Sequence, residues 1–253
     1  MNNNLKINFH KSFQQTECFI ASCHKISSAC NRFDQQKNPF FIDKEYDSLS
    51  GKPWIYYATY DTEIIGFLSV YIIDAYNVEI CCFVLPEYRR KKIATNLFSY
   101  MVTDYDCQSF QLSIDIGNKI GKAFAIRMGF EYCSTECSMR LDKKNFSEFK
   151  DVMSLTPEKQ NDEILIRGFF DGTEIGRSVI SVFDNTVCIH DVEIYEEYRG
   201  KGYGYRFIGT LLNHIFAKYD TAILHVTKEN APAYYLYKKV GFHTIQELEY
   251  YEI

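Results

Sequence analysis

The stretch CIHDVEIYEEYRGKGYGYRFIGTLLNHIF (residues 188–216) runs from a strand-like segment through a turn with glycines at 200, 202 and 204 into a helix-like segment. A helix N-terminus presents unpaired N–H groups and the positive end of the helix dipole, a natural seat for phosphate oxygens. Gly200, Gly202 and Gly204 let a ligand approach the backbone without a Cβ in the way, and Arg199 and Lys201 add positive charge. The spacing is neither a Walker A loop nor the dinucleotide pattern G-x-G-x-x-G. A tight turn that merely needs glycine explains the motif equally well at this stage.

The chain repeats itself, and the repeat decides the architecture. The segment from Glu63 (EIIGFLSVYIIDAYNVEICCFVLPEYRRKKIATNLFSYMV) matches the one from Thr173 with an offset of 110 residues, pairing Gly66 with Gly176 and Glu87-Tyr88-Arg89 with Glu197-Tyr198-Arg199. Further on the offset is 112, pairing Asn118 with Asn230 and Gly129-Phe130 with Gly241-Phe242. Each copy reads as two strands rich in Ile, Val, Tyr and Phe, a helix, a third strand, a short helix ending at glycine, and a last strand. The last strands are expected at Cys133 to Leu141 and in LEYYEI at the C-terminus. The first copy also carries helical stretches around Gln14 to Phe33 that the second lacks. The expected division is a domain over 1–145, a linker over 146–160 around Pro157, and a domain over 161–253.

Composition narrows the field. A net charge of −5 over 253 residues gives no electrostatic reason to expect nucleic acid. No apolar run approaches the ~18 residues of a membrane span, and MNNNLKINFHK does not read as a signal peptide. The nine cysteines, at 18, 23, 30, 81, 82, 107, 133, 137 and 188, include no CxxC pair and are expected as reduced thiols in a cytoplasmic protein. Cys18, Cys23, His24 and Cys30 match no standard zinc spacing, so no metal is expected.

With the turn in place, the downstream pattern Asn230-x-x-Ala233-x-x-Leu236-Tyr237, then Gly241-Phe242, becomes informative. Strand, R-G-x-G-x-G turn and helix, followed by N-x-x-A-x-x-L-Y-x-x-x-G-F, resemble the Gcn5-related N-acetyltransferase (GNAT) family closely over 163–253 and more loosely over 60–141. The resemblance implies an α/β fold of two tandem domains, each a mixed, mostly antiparallel sheet flanked by helices. It implies acetyl-coenzyme A as co-substrate and transfer of the acetyl group to an amine. The turn Arg199, Gly200, Lys201, Gly202, Tyr203 and Gly204 would hold the pyrophosphate. Val192, Glu193 and Ile194 would pair with the pantetheine arm, with one strand N–H polarising the thioester carbonyl. Asn230 matches the asparagine that contacts the cofactor arm, and Tyr237 the tyrosine that protonates the departing thiolate. Packing among Tyr234 and Tyr235 is the competing reading of Tyr237.

The amine must lose a proton, directly or through water, and His190, Asp191 and Glu193 share the critical strand. Strict alternation places Asp191 and Glu193 on one face and His190 with Val192 on the other. Asp191 ranks first as base, then His190, then Glu193; His190 reads equally well as a packed structural residue. Cys188 reads as a structural thiol, which favours direct transfer.

The first copy departs from this pattern. Arg90 and Lys92 replace Gly200 and Gly202, Ala125 stands at the place of Tyr237, and Ile80, Cys81 and Phe83 replace the three base candidates. The expectation is a first copy that does no acetyl transfer and supplies packing surface and one wall of the acceptor pocket. Its turn, YRRKKIA, also suggests that glycine is dispensable for the turn itself. The expected protein is a monomeric N-acetyltransferase acting on a small-molecule amine or a peptide N-terminus, without nucleic acid or membrane partners; the alternative is a non-catalytic acetyl-coenzyme A binding or sensing module.

Overall fold

The computed structural model describes residues 6–13, 16–38, 40, 42, 51–105 and 109–253, so Cys107 lies outside the described residues. Two compact units form, one of Met1–Ser134 with Leu248–Ile253, the other of Thr135–Glu247.

The first unit contains β1 (Ile7–Ser12), α1 (Glu17–Asp34), β2 (Ile55–Tyr60), β3 (Glu63–Ile72), β4 (Asn77–Val84), α2 (Ile93–Val102), β5 (Ser109–Asp115) and α3 (Lys119–Arg127). Strands β1 to β4 pair antiparallel in sequence order, and β5 joins β4 in parallel after the α2 crossover. Thr16 caps α1 by accepting from the Phe19 N–H at 3.2 Å, and Gln35 ends it in the left-handed region. The sheet is covered on both sides. Leu68, Val70, Ile80, Leu97 and Met101 form a core with α2, while Cys23, Cys30, Phe67, Cys81 and Phe83 form another under α1.

The second unit takes the end of β6 (Glu131–Asp142), then β7 (Ser154–Gln160), β8 (Glu163–Phe170), β9 (Thr173–Phe183), β10 (Thr186–Ile194), α4 (Tyr203–Phe216), β11 (Thr221–Thr227), α5 (Ala231–Lys239) and the start of β12 (His243–Glu252). It repeats the hairpins and the parallel crossover but has no counterpart of α1. Tight hairpins place Asn161, Asp171 and Asp184 at positive φ, which Asn and Asp tolerate better than most residues. Residues 146–160, expected as a linker, contain strand β7. Its Pro157 is accommodated because β7 is the edge strand beyond β8.

The last strands are exchanged between the units. Residues 136–142 of β6, the end of the first repeat, pair antiparallel with β11, and residues 248–252 of β12 pair antiparallel with β5. Neither strand closes its own copy, contrary to the sequence expectation. The apolar alternation is served all the same: Cys137, Met139 and Leu141 enter the core of the second unit, and Tyr251 enters that of the first.

Candidate active site

In the second unit the β10–β11 ladder runs from Thr186–Thr221 to Ile189–Leu224 and stops, although both strands continue. Past that point β10 has no partner on the β11 side, so its backbone groups face a wedge between two parallel strands. On its other edge β10 slips register against β9 between His190–Val179 and Glu193–Arg177. Two residues, Asp191 and Val192, therefore stand opposite one, a β-bulge, and Asp191 takes φ 50°.

The bulge corrects the expected alternation. Val179 and Arg177 lie two apart on β9, so their partners His190 and Glu193 share a face, while Val192 and Ile194 pack against the core with α4. Asp191 projects into solvent with 78% of its side chain exposed. Glu193 is bonded to Arg177 at 2.9 Å. The His190 ring is held at both nitrogens, Nε2 at 3.0 Å from Ser181 Oγ and Nδ1 at 3.3 Å from Asp191 Oδ2.

Beyond β10 the chain makes a short 3₁₀ turn over Glu196–Tyr198 and reaches α4 through Gly202, which caps it at φ 85° without any side-chain bond to the first-turn N–H groups. Those N–H groups have no helical acceptor, and they form the positive end of a 14-residue helix. A Cβ at Gly200 or Gly202 would meet nothing within 4 Å; at Gly204 it would press on Leu236 Cδ2 of α5 at 3.3 Å. The first two glycines thus serve backbone conformation beside open space, and the third serves close packing of turn against helix. Arg199 Nε donates to Ile194 O at 2.8 Å and Lys201 Nζ to Glu197 O at 2.8 Å, so both cations also brace the turn. Tyr203 packs edge-on against Tyr198 and Phe170.

Asn230 caps α5, its Oδ1 accepting from the Ala233 N–H at 3.3 Å. Tyr237, about two turns further along α5, is buried against Phe242, and its hydroxyl bonds to no described residue. Burial pushes its pKa up to about 12, so at neutral pH the phenol is a protonated, unengaged donor.

One pair escaped the sequence reading. His225 on β11 places Nδ1 3.1 Å from Ser138 Oγ and 3.4 Å from Glu136 Oε1, and the Glu136 carboxylate raises its pKa. The strand TAILHVT does flag a histidine opposite Ala222, Leu224 and Val226, but Glu136 arrives only through the exchanged β6.

The first unit shows the same wedge, the β4–β5 ladder stopping at Ile80–Leu112. A cavity of about 730 Å³ opens there, bounded by Cys82, Lys92, Ser113, Asn118 and Phe124. Arg90 and Lys92 line this cavity rather than fill it. They also adopt φ 65° and 62°, close to those of Gly200 (71°) and Gly202 (85°). The backbone turn is thus the same in both copies, and it does call for left-handed residues; the first copy accepts strain where the second has glycine. Two groups at this wedge are already engaged. Arg89 is bidentate with Asp34 at 2.7 and 2.8 Å, and Asn118 Nδ2 donates to Asn38 Oδ1 at 2.9 Å. Ala125, at the place of Tyr237, is fully buried. Among the described residues no group of three His, Cys, Asp or Glu is placed to hold a metal, and no helix is long and apolar enough to cross a membrane.

The fold is shared with known proteins. The chain is similar in structure to a GCN5-related N-acetyltransferase from Sphaerobacter thermophilus (TM-score 0.77, 11% identity, covering 98% of this chain and 95% of that one). It is also similar to a tandem GNAT protein from the clavulanic acid biosynthesis pathway (TM-score 0.64, 11% identity, 98% of each chain). A GNAT-family acetyltransferase from Colwellia psychrerythraea aligns with TM-score 0.58 at 11% identity, over 98% of this chain and 99% of that one. A comparison with curated protein sequences finds no match. The sequence model of the acetyltransferase (GNAT) family matches twice, over residues 20–130 and 134–242, once for each repeat. The chain is a tandem member of the GNAT acetyltransferase family.

Proposed function

We propose that this protein transfers an acetyl group from acetyl-coenzyme A directly to a primary amine, with the chemistry in the C-terminal copy. The observation that carries the assignment is Tyr237: a buried phenol, protonated at neutral pH and bonded to no described residue, where the first copy has Ala125. In this reading the thioester lies in the β10–β11 wedge. The first-turn N–H groups of α4 bind the pyrophosphate, with Arg199, Gly200, Lys201, Gly202, Tyr203 and Gly204 shaping the seat. The exposed edge of Val192, Glu193 and Ile194 lies along the pantetheine arm, and Asn230 contributes its free amide nitrogen. An N–H at the bulge polarises the carbonyl. The amine attacks the carbonyl carbon as the C–S bond breaks, and Tyr237 protonates the thiolate. Among the residues singled out from sequence, Asp191 leads as base.

The acceptor is a small-molecule amine or a peptide N-terminus, and the protein works as a cytoplasmic monomer. A second reading, non-catalytic binding of acetyl-coenzyme A, draws on the first copy, whose cavity lacks the phenol.

The test is thiol release from acetyl-coenzyme A over a panel of amines, beside calorimetric binding of the cofactor. Turnover that Gly202→Asp abolishes together with binding supports transfer in the second copy. Tight binding with no turnover on any amine overturns it in favour of the second reading.

A further inference from the structure

The proton of the attacking amine needs a destination on the face of the sheet from which the amine arrives. In the second unit the two faces differ. The apolar residues of α4, together with Tyr237 of α5, share one core with Ile189, Leu224 and Val226. The opposite face, which α1 covers in the first unit, has no helix of the second unit upon it. Tyr237 therefore serves the leaving thiol from the packed side, and the amine has access from the open side.

His190 and His225 both face that open side, because each follows a member of the last ladder pair, Ile189–Leu224, whose side chains enter the core. The two imidazoles differ in what holds them. His190 is engaged at both nitrogens, by Ser181 and Asp191. His225 is engaged at Nδ1 alone, by Glu136 and Ser138, and its side chain is 49% exposed. A carboxylate on one ring nitrogen fixes the tautomer and increases the basicity of the other, the arrangement a general base requires. Other charged or titratable groups on this face of the flanking strands are Arg140 and Asp142 on β6, and Cys188, His190 and Glu193 on β10, with Asp191 at the bulge; Glu193 is held by Arg177. Arg140 is taken up by Asp142 at 2.7 Å and Asp191 by His190, which leaves Glu136 as the charge acting on the His225 ring.

We infer that His225 Nε2 takes the amine proton at the C-terminal wedge, and that Glu136, delivered by the exchanged strand β6, is its positioning residue. The assignment rests on the acetyltransferase reading above and puts His225 in the place of Asp191, whose side chain is 78% exposed and bonded to His190, as acceptor of the amine proton. The step balances: the amine nitrogen bonds to the carbonyl carbon, the C–S bond breaks, one N–H proton passes to His225 Nε2, and the thiolate receives the Tyr237 hydroxyl proton. Imidazolium and tyrosinate then return to their starting forms through solvent. The active unit is complete only with a strand encoded in the first repeat.

The experiment is a pH–rate profile of the whole chain and its His225→Gln and Glu136→Gln variants, with acetyl-coenzyme A binding measured alongside. A histidine titration followed by NMR reads the ring directly, without any acceptor. His225→Gln is expected to lower kcat about 10²-fold or more while cofactor affinity stays within about twofold. Glu136→Gln is expected to move the acidic limb of kcat/KM, and the NMR titration of His225, to lower pH, a change that a packing defect would not produce. An active protein whose His225→Gln variant keeps its rate, or whose limb ignores Glu136→Gln, overturns this assignment alone. A wild-type protein that binds the cofactor but acetylates no amine overturns the acetyltransferase reading and this assignment with it.

Discussion

Asp34 grips Arg89 through two parallel hydrogen bonds of 2.7 and 2.8 Å, whereas Arg199, the same position in the second repeat, makes only its Nε bond to Ile194 O. Both arginines close the end of their strand in the same way, Arg89 Nε donating to Val84 O at 3.0 Å. The difference lies in α1, which the first copy has and the second lacks. The Asp34 carboxylate sits on its arginine as an internal anion. Asp34 and Arg89 expose only 13% and 18% of their side chains, so removing one partner leaves a poorly solvated charge. Asp34→Ala is expected to cost about 1.5–3 kcal/mol in urea unfolding. Arg199→Ala, at an exposed site with one neutral acceptor, is expected to cost about 1 kcal/mol or less. Equal losses would mean that the paired carboxylate is worth no more than a single hydrogen bond to a neutral acceptor.

The shared turn conformation supports a second prediction. Lys92 stands at φ 62°, where a side chain costs about 1–2 kcal/mol, while glycine pays about 0.5–1 kcal/mol more unfolded-chain entropy. Lys92→Gly is therefore expected to stabilise the protein by about 0.5–1 kcal/mol. Gly202→Ala, at φ 85°, is expected to destabilise it by a similar amount through backbone strain alone, since its Cβ meets no atom within 4 Å. Thermal unfolding of the two variants reads opposite signs. A destabilising Lys92→Gly would show that the lysine side chain makes a compensating contact.

Tyr237 separates chemistry from packing. Its hydroxyl is buried without a described partner, so deleting the oxygen removes a desolvation cost and no bond. Tyr237→Phe is expected to unfold within about 0.5 kcal/mol of the wild type, or slightly later. If the phenol protonates the thiolate, the same change lowers kcat about 10²-fold and leaves KM for the cofactor nearly unchanged. A large stability loss with unchanged kcat would assign Tyr237 to the core and nothing more.

Much of this arrangement is legible in the amino-acid order. The recurrence of Gly66 at Gly176 has a local cause: a Cβ at Gly176 would lie 2.2 Å from Glu193 O, and one at Gly66 3.0 Å from Phe83 O. The close crossing of β3 on β4, and of β9 on β10, excludes a side chain in both copies. The helix caps at Asn118 and Asn230 and the terminal glycines are legible for the same reason, since each satisfies a local backbone need. The bulge at Asp191–Val192 is not. Period-two reasoning assumes an unbroken ladder, and nothing in CIHDVEI announces the extra residue, so the faces of His190 and Asp191 were misassigned.

By itself the sequence determined two copies of one α/β unit, the strand–turn–helix with glycines at 200, 202 and 204, and the presence of a tyrosine at 237 where the first copy has Ala125. These follow from residue type and short-range spacing, which act over a few turns of helix or a single hairpin. Only the tertiary structure decided that β6 pairs with β11 and β12 with β5, that Asp34 holds Arg89, and that Glu136 reaches His225. Those contacts join residues 55 (Asp34–Arg89) to 141 (Gln111–Glu252) positions apart, and an alternating apolar strand satisfies either copy's core equally by pattern. Pairing across such distances is chosen by which edge and which core remain open once the local elements have formed.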